Sequence, residues 1–331
     1  MNMLVENFQH RHAAHCESGV ASSMLSHHGA KISEAMAFGL SAAMAFAYLP
    51  IIKFAGFPLI AFRMPPKAIL KGMVKPFRMR FHFETFRDQA KSMARLDEML
   101  AQGRIVGIQV GAFWLPFFPA DMRFHFNAHN LIVYGKEGND YLISDPVMED
   151  PQRCDAESLR RARFSTGLMA PRGLLYYPER IDQKEVTPEA VLQSIRKTVR
   201  GMLGPVPIVG VRGMRMLARR VGKLDPADKL SPNYVGHIVR MQEEIGTGGA
   251  GFRFLYAAFL QEAAEIAGRP ALKVLADRLN EIGDGWREFA LKAVRMIKGR
   301  ETFDPPQLAA MLNTQAAHEA QFFRDLKAAV A

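Results

Sequence analysis

The stretch FQHRHAAHCESGVASSMLSHHG, residues 8–29, places five histidines and the first of only two cysteines in 22 positions, and its reading governs the rest of the chain. His10, His12, His15 and Cys16 have the chemistry of zinc ligands. A structural zinc site, however, draws paired ligands from two separated knuckles, and no second knuckle follows, so no metal is expected. His27 and His28 close the helical run ASSMLS and read as helix-end residues. Cys16 reads better as a nucleophile, because it precedes small and apolar residues at helical spacing that stop at Gly29. A thiol at a helix start meets the positive end of the dipole and unpaired backbone N–H groups, which favour the thiolate and offer an oxyanion hole. The plain alternative is a small buried residue, the commonest fate of a free cysteine.

A thiolate needs a base, and the base needs an acceptor to orient it. HNLIVYGKEGNDYLISDP, residues 129–146, has the pattern of two strands around a turn. If residues 135–139 form the loop, Tyr134 faces Asp140, and the same register sets His129 opposite Asp145, within hydrogen-bonding reach. A slip of one residue would part them. His129 alone is an ordinary half-buried strand histidine, and Asp145 alone a turn-starting Asp-Pro. Their coincidence at matching hairpin positions, with Cys16 upstream, favours a catalytic triad of Cys16, His129 and Asp145. The chain order Cys, His, Asp is that of papain-like enzymes. Cys154 lies in polar DPQRCDAES and reads as incidental.

The 331 residues are 49% hydrophobic and 23% charged, which excludes disordered and fibrous classes and allows two domains. Two cysteines make no disulfide framework, and no secretion signal is recognisable, so the expected compartment is the cytoplasm. Residues 35–62 carry one charge in 28 positions, long enough for a membrane span, but Pro50, Lys53, Gly56 and Pro58 interrupt the run. The better reading is a buried helix, EAMAFGLSAAMAFAYL, followed by strand-like pieces, with no membrane span. An amphipathic helix is expected over 86–102, and strands over 104–113 and 173–178. From TPEAVLQSIRKTV onward the periodicity is helical, opening with a Thr cap and Pro at the first helical position. The expected fold class is α+β: a papain-like catalytic domain over 1–185, then an all-α domain over 186–331.

Three stretches resemble a known family. HCESGVASSMLSHHGAKISEAMAFGLSAAMAFAY resembles the opening of the butirosin biosynthesis protein H family, where a His-Cys pair precedes a helix, a Ser-Glu and a Gly-rich segment. The hairpin at 129–146 is similar to that family's His and Asp segment, itself similar to bacteriocin-processing papain-like peptidases. EEIGTGGAGFRFLYAAFLQEA, residues 243–263, resembles a motif of the accompanying helical domain. The resemblance implies an acyltransferase that takes an acyl group from the phosphopantetheine thioester of an acyl carrier protein and passes it to a small-molecule amine. No cofactor is bound directly; Cys16 would be nucleophile, His129 base and Asp145 orienter, with the helical domain as lid and acceptor site. GLSAAMAF departs from the family's pattern by carrying alanines where glycines are frequent, which puts the acceptor in doubt. Gln9 stands near, though not at, the offset of the oxyanion glutamine of papain-like peptidases.

Net charge is +10, and the excess is local: eight Lys/Arg and no acid lie between Ile195 and Leu224, and ten basic residues against four acidic between Arg63 and Arg104. Because acyl carrier proteins are acidic, Arg212, Arg215, Arg219 and Arg220 are candidate docking residues. A solvated face or a lipid contact explains them as well, while no nucleic-acid module is present. The glycines of GTGGAGFRF make Gly248, Gly249, Arg253 and Tyr256 candidate substrate-binding residues, against the alternative of a plain interhelical turn. Two other classes stay open: a papain-like peptidase or amidase using the same triad with water, and a silent basic binding protein. The oligomeric state is left open, a dimer included.

Overall fold

The structure is a computed structural model that describes every residue but 1, 55, 121, 122, 246 and 247. The first half runs β1 (Met3–Leu4), α1 (Cys16–His27), α2 (Glu34–Leu40), β2 (Met44–Phe54), β3 (Phe57–Arg63), α3 (Ala68–Gly72), β4 (Met79–Glu84), α4 (Gln89–Ala101) and β5 (Val106–Val110). It continues with β6 (His129–Glu137), β7 (Asp140–Ser144), β8 (Gln152–Asp155), α5 (Ala156–Arg163) and β9 (Leu175–Ile181). The remainder is helical: α6 (Pro188–Leu203), α7 (Gly210–Val221), α8 (Leu230–Glu243), α9 (Arg253–Ile266), α10 (Ala271–Ile297) and α11 (Pro305–Ala329). The fold is thus α+β, a sheet-bearing N-terminal part followed by a helical C-terminal region.

The chain divides into two compact units, one of residues 1–37 and 69–186, the other of 38–68 and 187–331. This differs from the expected single boundary near 185. The reason lies in β2 and β3, a separate two-stranded sheet whose apolar side chains need helices to cover them. Phe46 lies against Trp286 of α10 with ring centroids 6.5 Å apart, and the Tyr48 amide donates to the Ile208 carbonyl at 2.9 Å. The helical unit therefore contains a hairpin and is not all-α. The expected long helix over 34–49 stops at Leu40, and the following apolar residues extend as β2 instead. Among the described residues, no helix is long and apolar enough to cross a membrane.

In the first unit a mostly linear antiparallel sheet has the order β4-β9-β5-β6-β7-β8, with β1 beside β6. Both faces of its centre are buried: Val106 to Val110 are buried throughout, as are Leu131, Ile132 and Val133. Helix α1 lies on β6 and β9, which brings Cys16 to the sheet. The hairpin register differs from the expected one. Glu137 pairs with Asp140 across a two-residue turn in which Gly138 has φ +59°, and an irregularity between Val133 and Gly135 shifts the frame, so that Ile132 pairs with Ser144. A two-residue turn led by a glycine at positive φ matches the right-handed twist of its strands better than the five-residue loop assumed from the pattern.

Candidate active site

Cys16 occupies the first turn of α1, where its N–H has no acceptor within the helix. The preceding residue builds this helix start. His15 is the N-cap, and its imidazole accepts the Ser18 N–H. A second clamp comes from Glu34: its carboxylate accepts the backbone N–H groups of Ala14 (2.9 Å) and His15 (2.8 Å) and the Ser18 hydroxyl (2.9 Å). Burial raises the Glu34 pKa, while those three donors work against the rise. Glu17, beside the cysteine and fully buried, turns away to accept the Ile69 N–H at 2.9 Å at the start of α3.

His129 opens β6 and meets Asp145 just past the end of β7, with Nε2 2.7 Å from Oδ2. Asp145 is fully buried, and its other oxygen accepts the Val147 N–H at 3.2 Å. With Nε2 engaged by Asp145, the remaining ring nitrogen is left for Cys16, whose proximity favours the charged imidazole. Burial alone would lower the His129 pKa; the charge and hydrogen bond of Asp145, with the same contributions from Cys16, overturn it and push the value up to about 10. Phe118 stands edge-on to the imidazole at 5.3 Å and closes one side of it to water. Hence the expected meeting of His129 and Asp145 occurs although the expected register does not.

What draws the aspartate to the helix is a glycine. A Cβ on Gly19, one turn into α1, would lie 2.6 Å from Pro146 Cβ and 2.7 Å from Ala13 Cβ, so only glycine lets the Asp145–Pro146 segment close on the helix. The Ala13 N–H donates to the Pro146 carbonyl at 2.7 Å, and His10 bonds the Ser144 hydroxyl at 2.8 Å and the Met148 carbonyl at 3.0 Å. Of the histidines in the opening stretch, His15 thus caps and His10 fastens. Among the described residues, no group of three potential metal ligands assembles.

A side chain absent from the sequence reading also faces the sulphur. Asn130 Nδ2 lies 4.0 Å from Cys16 Sγ and donates to the Ala128 carbonyl at 3.0 Å, while its Oδ1 accepts the Tyr176 hydroxyl at 2.9 Å. Gln9 is exposed. Cys154 is buried, and burial, with the charges of Asp155 and Asp140, pushes its thiol up to about 12, as befits an inert residue.

The candidate substrate residues of the helical unit fare differently. Arg253 is fully buried: its Nε and Nη2 each donate at 2.9 Å to the two oxygens of Glu319, which also accepts the Trp286 indole N–H at 2.7 Å. Tyr256 is fully buried as well. Both side chains are interior structure and unavailable to a substrate. Gly248 is exposed and Gly249 buried, in the turn before α9, while residues 246 and 247 lie outside the described residues. Arg212, Arg215, Arg219 and Arg220 are all exposed on α7; the first three share a face by their spacing.

Two family models match the chain. One, described as Butirosin biosynthesis protein H, N-terminal, covers residues 15–146, and the other, a Domain of unknown function (DUF4872), covers residues 157–326, just over half of the length. The chain belongs to the DUF4872 family, and its residues 15–146 match the butirosin biosynthesis protein H N-terminal domain. The N-terminal match begins at His15, the cap of the nucleophile helix, and ends at Pro146, immediately after Asp145, so it brackets the assembly described above. No curated protein matches the chain. A crystal structure from Bacillus anthracis described as a C39-like peptidase is similar over 55% of this chain and 100% of that one, with 14% identity and a TM-score of 0.38.

Proposed function

We propose that this protein is an acyltransferase that accepts an acyl group from the phosphopantetheine thioester of an acyl carrier protein onto Cys16 and delivers it to a small-molecule amine. The observation that carries the reading is one buried imidazole bonded to Asp145 and raised in pKa by both that carboxylate and the neighbouring helix-start Cys16. A protonated His129 is the partner a thiolate requires. The sulphur attacks the thioester carbonyl, forming a carbon–sulphur bond and sending the π electrons to oxygen. Collapse breaks the bond to pantetheine, whose sulphur takes the proton from His129. The amine then attacks the acyl-cysteine, gives its proton to the now neutral imidazole, and expels the Cys16 thiolate as the amide forms. Exchange of one thioester for another is nearly balanced in free energy, so the first half needs little driving force.

The arginines of α7 supply a cationic face for an acidic carrier, in which long-range attraction speeds encounter more than it tightens binding. The phosphopantetheine arm is substrate, arriving with the carrier. The deciding assay offers acyl-carrier thioesters with and without amines and separates products by mass. Amide formed in preference to free acid supports transfer. Free acid at the same rate whether or not an amine is present would make the enzyme a hydrolase instead.

A further inference from the structure

We infer that Asn130 supplies the side-chain half of the oxyanion hole, held in orientation by Tyr176; the inference rests on Cys16 being the nucleophile. The first-turn N–H of Cys16 is one donor at the place where charge develops, and a tetrahedral oxyanion is ordinarily met by two. Asn130 is buried directly beside the sulphur, and the identity of its two terminal atoms is settled by its partners. The Tyr176 hydroxyl donates to Oδ1 at 2.9 Å, and the Ala128 carbonyl accepts from Nδ2 at 3.0 Å, which leaves the second Nδ2 hydrogen for Cys16. The separation of 4.0 Å between Nδ2 and Sγ is longer than a close hydrogen bond. At that separation, an oxygen on a carbonyl carbon bonded to the sulphur can come about 2.9 Å from Nδ2, the distance an oxyanion donor requires.

The orientation is built from below. Tyr176 sits in β9 opposite Gly107 of β5, and its ring lies across the position that a Cβ on Gly107 would fill. Tyr176 is completely buried, and burial, with the charges of Glu17 and Cys16, raises its pKa well above that of an ordinary phenol, so it remains a neutral donor. An amide anchored at both ends in this way cannot flip to present its oxygen to a developing negative charge. In the attack step, the electron pair displaced from the carbonyl comes to rest on an oxygen facing Asn130 Nδ2 and the Cys16 N–H. Both donors release it when the bond to the leaving thiol breaks, and no further reactant enters.

The test compares two reactions of the same sulphur in the full chain. Alkylation by iodoacetamide forms no oxyanion, whereas acylation by the acetyl thioester of N-acetylcysteamine does; mass mapping reads both at Cys16. For Asn130→Ala the expectation is alkylation within about twofold of wild type and acylation slowed about 100-fold. For Tyr176→Phe, which removes one hydroxyl and leaves Asn130 in place, acylation should slow about tenfold at unchanged alkylation. The inference is overturned if Asn130→Ala acylates at the wild-type rate, or if both reactions slow in parallel in both variants. Wild-type protein that is alkylated but never acylated would remove the proposed function itself, and this role with it.

Discussion

Replacing Asp145 with asparagine keeps the shape of the side chain and removes its charge. In the wild-type protein the folded-state pKa of His129 stands at about 10 against an ordinary 6.5. At about 1.36 kcal/mol per unit, the difference corresponds to on the order of 5 kcal/mol of preference for the imidazolium in the folded state. A raised pKa contributes stability that is fully present below pH 6.5 and is lost progressively as pH rises toward about 10. In Asp145→Asn only Cys16 is left to oppose burial, so the His129 pKa falls and this contribution disappears. Unfolding of the two proteins in urea across a pH series should therefore give a difference in stability that is full at pH 6.5 and just below it and shrinks as pH rises toward 10. NMR of the His129 ring should show it losing its proton at a much lower pH in the variant, and acyl transfer at neutral pH should fall about 1,000-fold. A stability difference that does not change between pH 6.5 and 10, or a variant ring that still titrates near 10, would refute the electrostatic argument.

Other substitutions probe the supports of the site. Glu34→Ala removes the acceptor of three hydrogen bonds at the start of α1 and should cost about 3 kcal/mol in urea unfolding. Gly19→Ala presses a methyl group onto Pro146 and Ala13, and should lower acylation of Cys16 about tenfold by moving Asp145, with a smaller effect on global stability. Glu319→Ala strands the buried Arg253 charge and should destabilise the protein by about 3–5 kcal/mol, measured by the same unfolding assay. Charge reversal at Arg215 and Arg219 should reduce kcat/KM for carrier-bound donors about tenfold at low salt and leave a small N-acetylcysteamine thioester unaffected.

The start of α1 was legible because small residues at helical spacing run from the cysteine to Gly29, which takes φ +84° just past the helix. The contact between His129 and Asp145 was legible for a less secure reason. A strand irregularity beside Tyr134 shifts the frame and leaves no mark in the pattern of apolar residues, so the counted register was wrong. The contact survives because Asp145 lies beyond the ladder, where Pro146 and the helix, more than strand pairing, set its position. Nothing near Arg253 in the chain marks its counter-ion, because Glu319 lies 66 residues away on another helix, and a glycine-rich approach looks the same whether it leads to a ligand or to a buried ion pair. Asn130 carries no signal in the local sequence, because its orientation depends on Tyr176, a residue on another strand 46 positions along the chain. Contacts between distant segments are settled by packing, which local periodicity does not encode.

We propose that Cys16 carries the acyl group between donor and acceptor. The most direct measurement is to mix the protein with an acyl-carrier thioester, quench in acid within the first turnover, and map the acyl mass to a peptide. The prediction is a stoichiometric label on Cys16 that disappears when an amine is added before the quench, with the amide appearing in its place. Product formation with no label on Cys16, or with the label on Cys154, would contradict it.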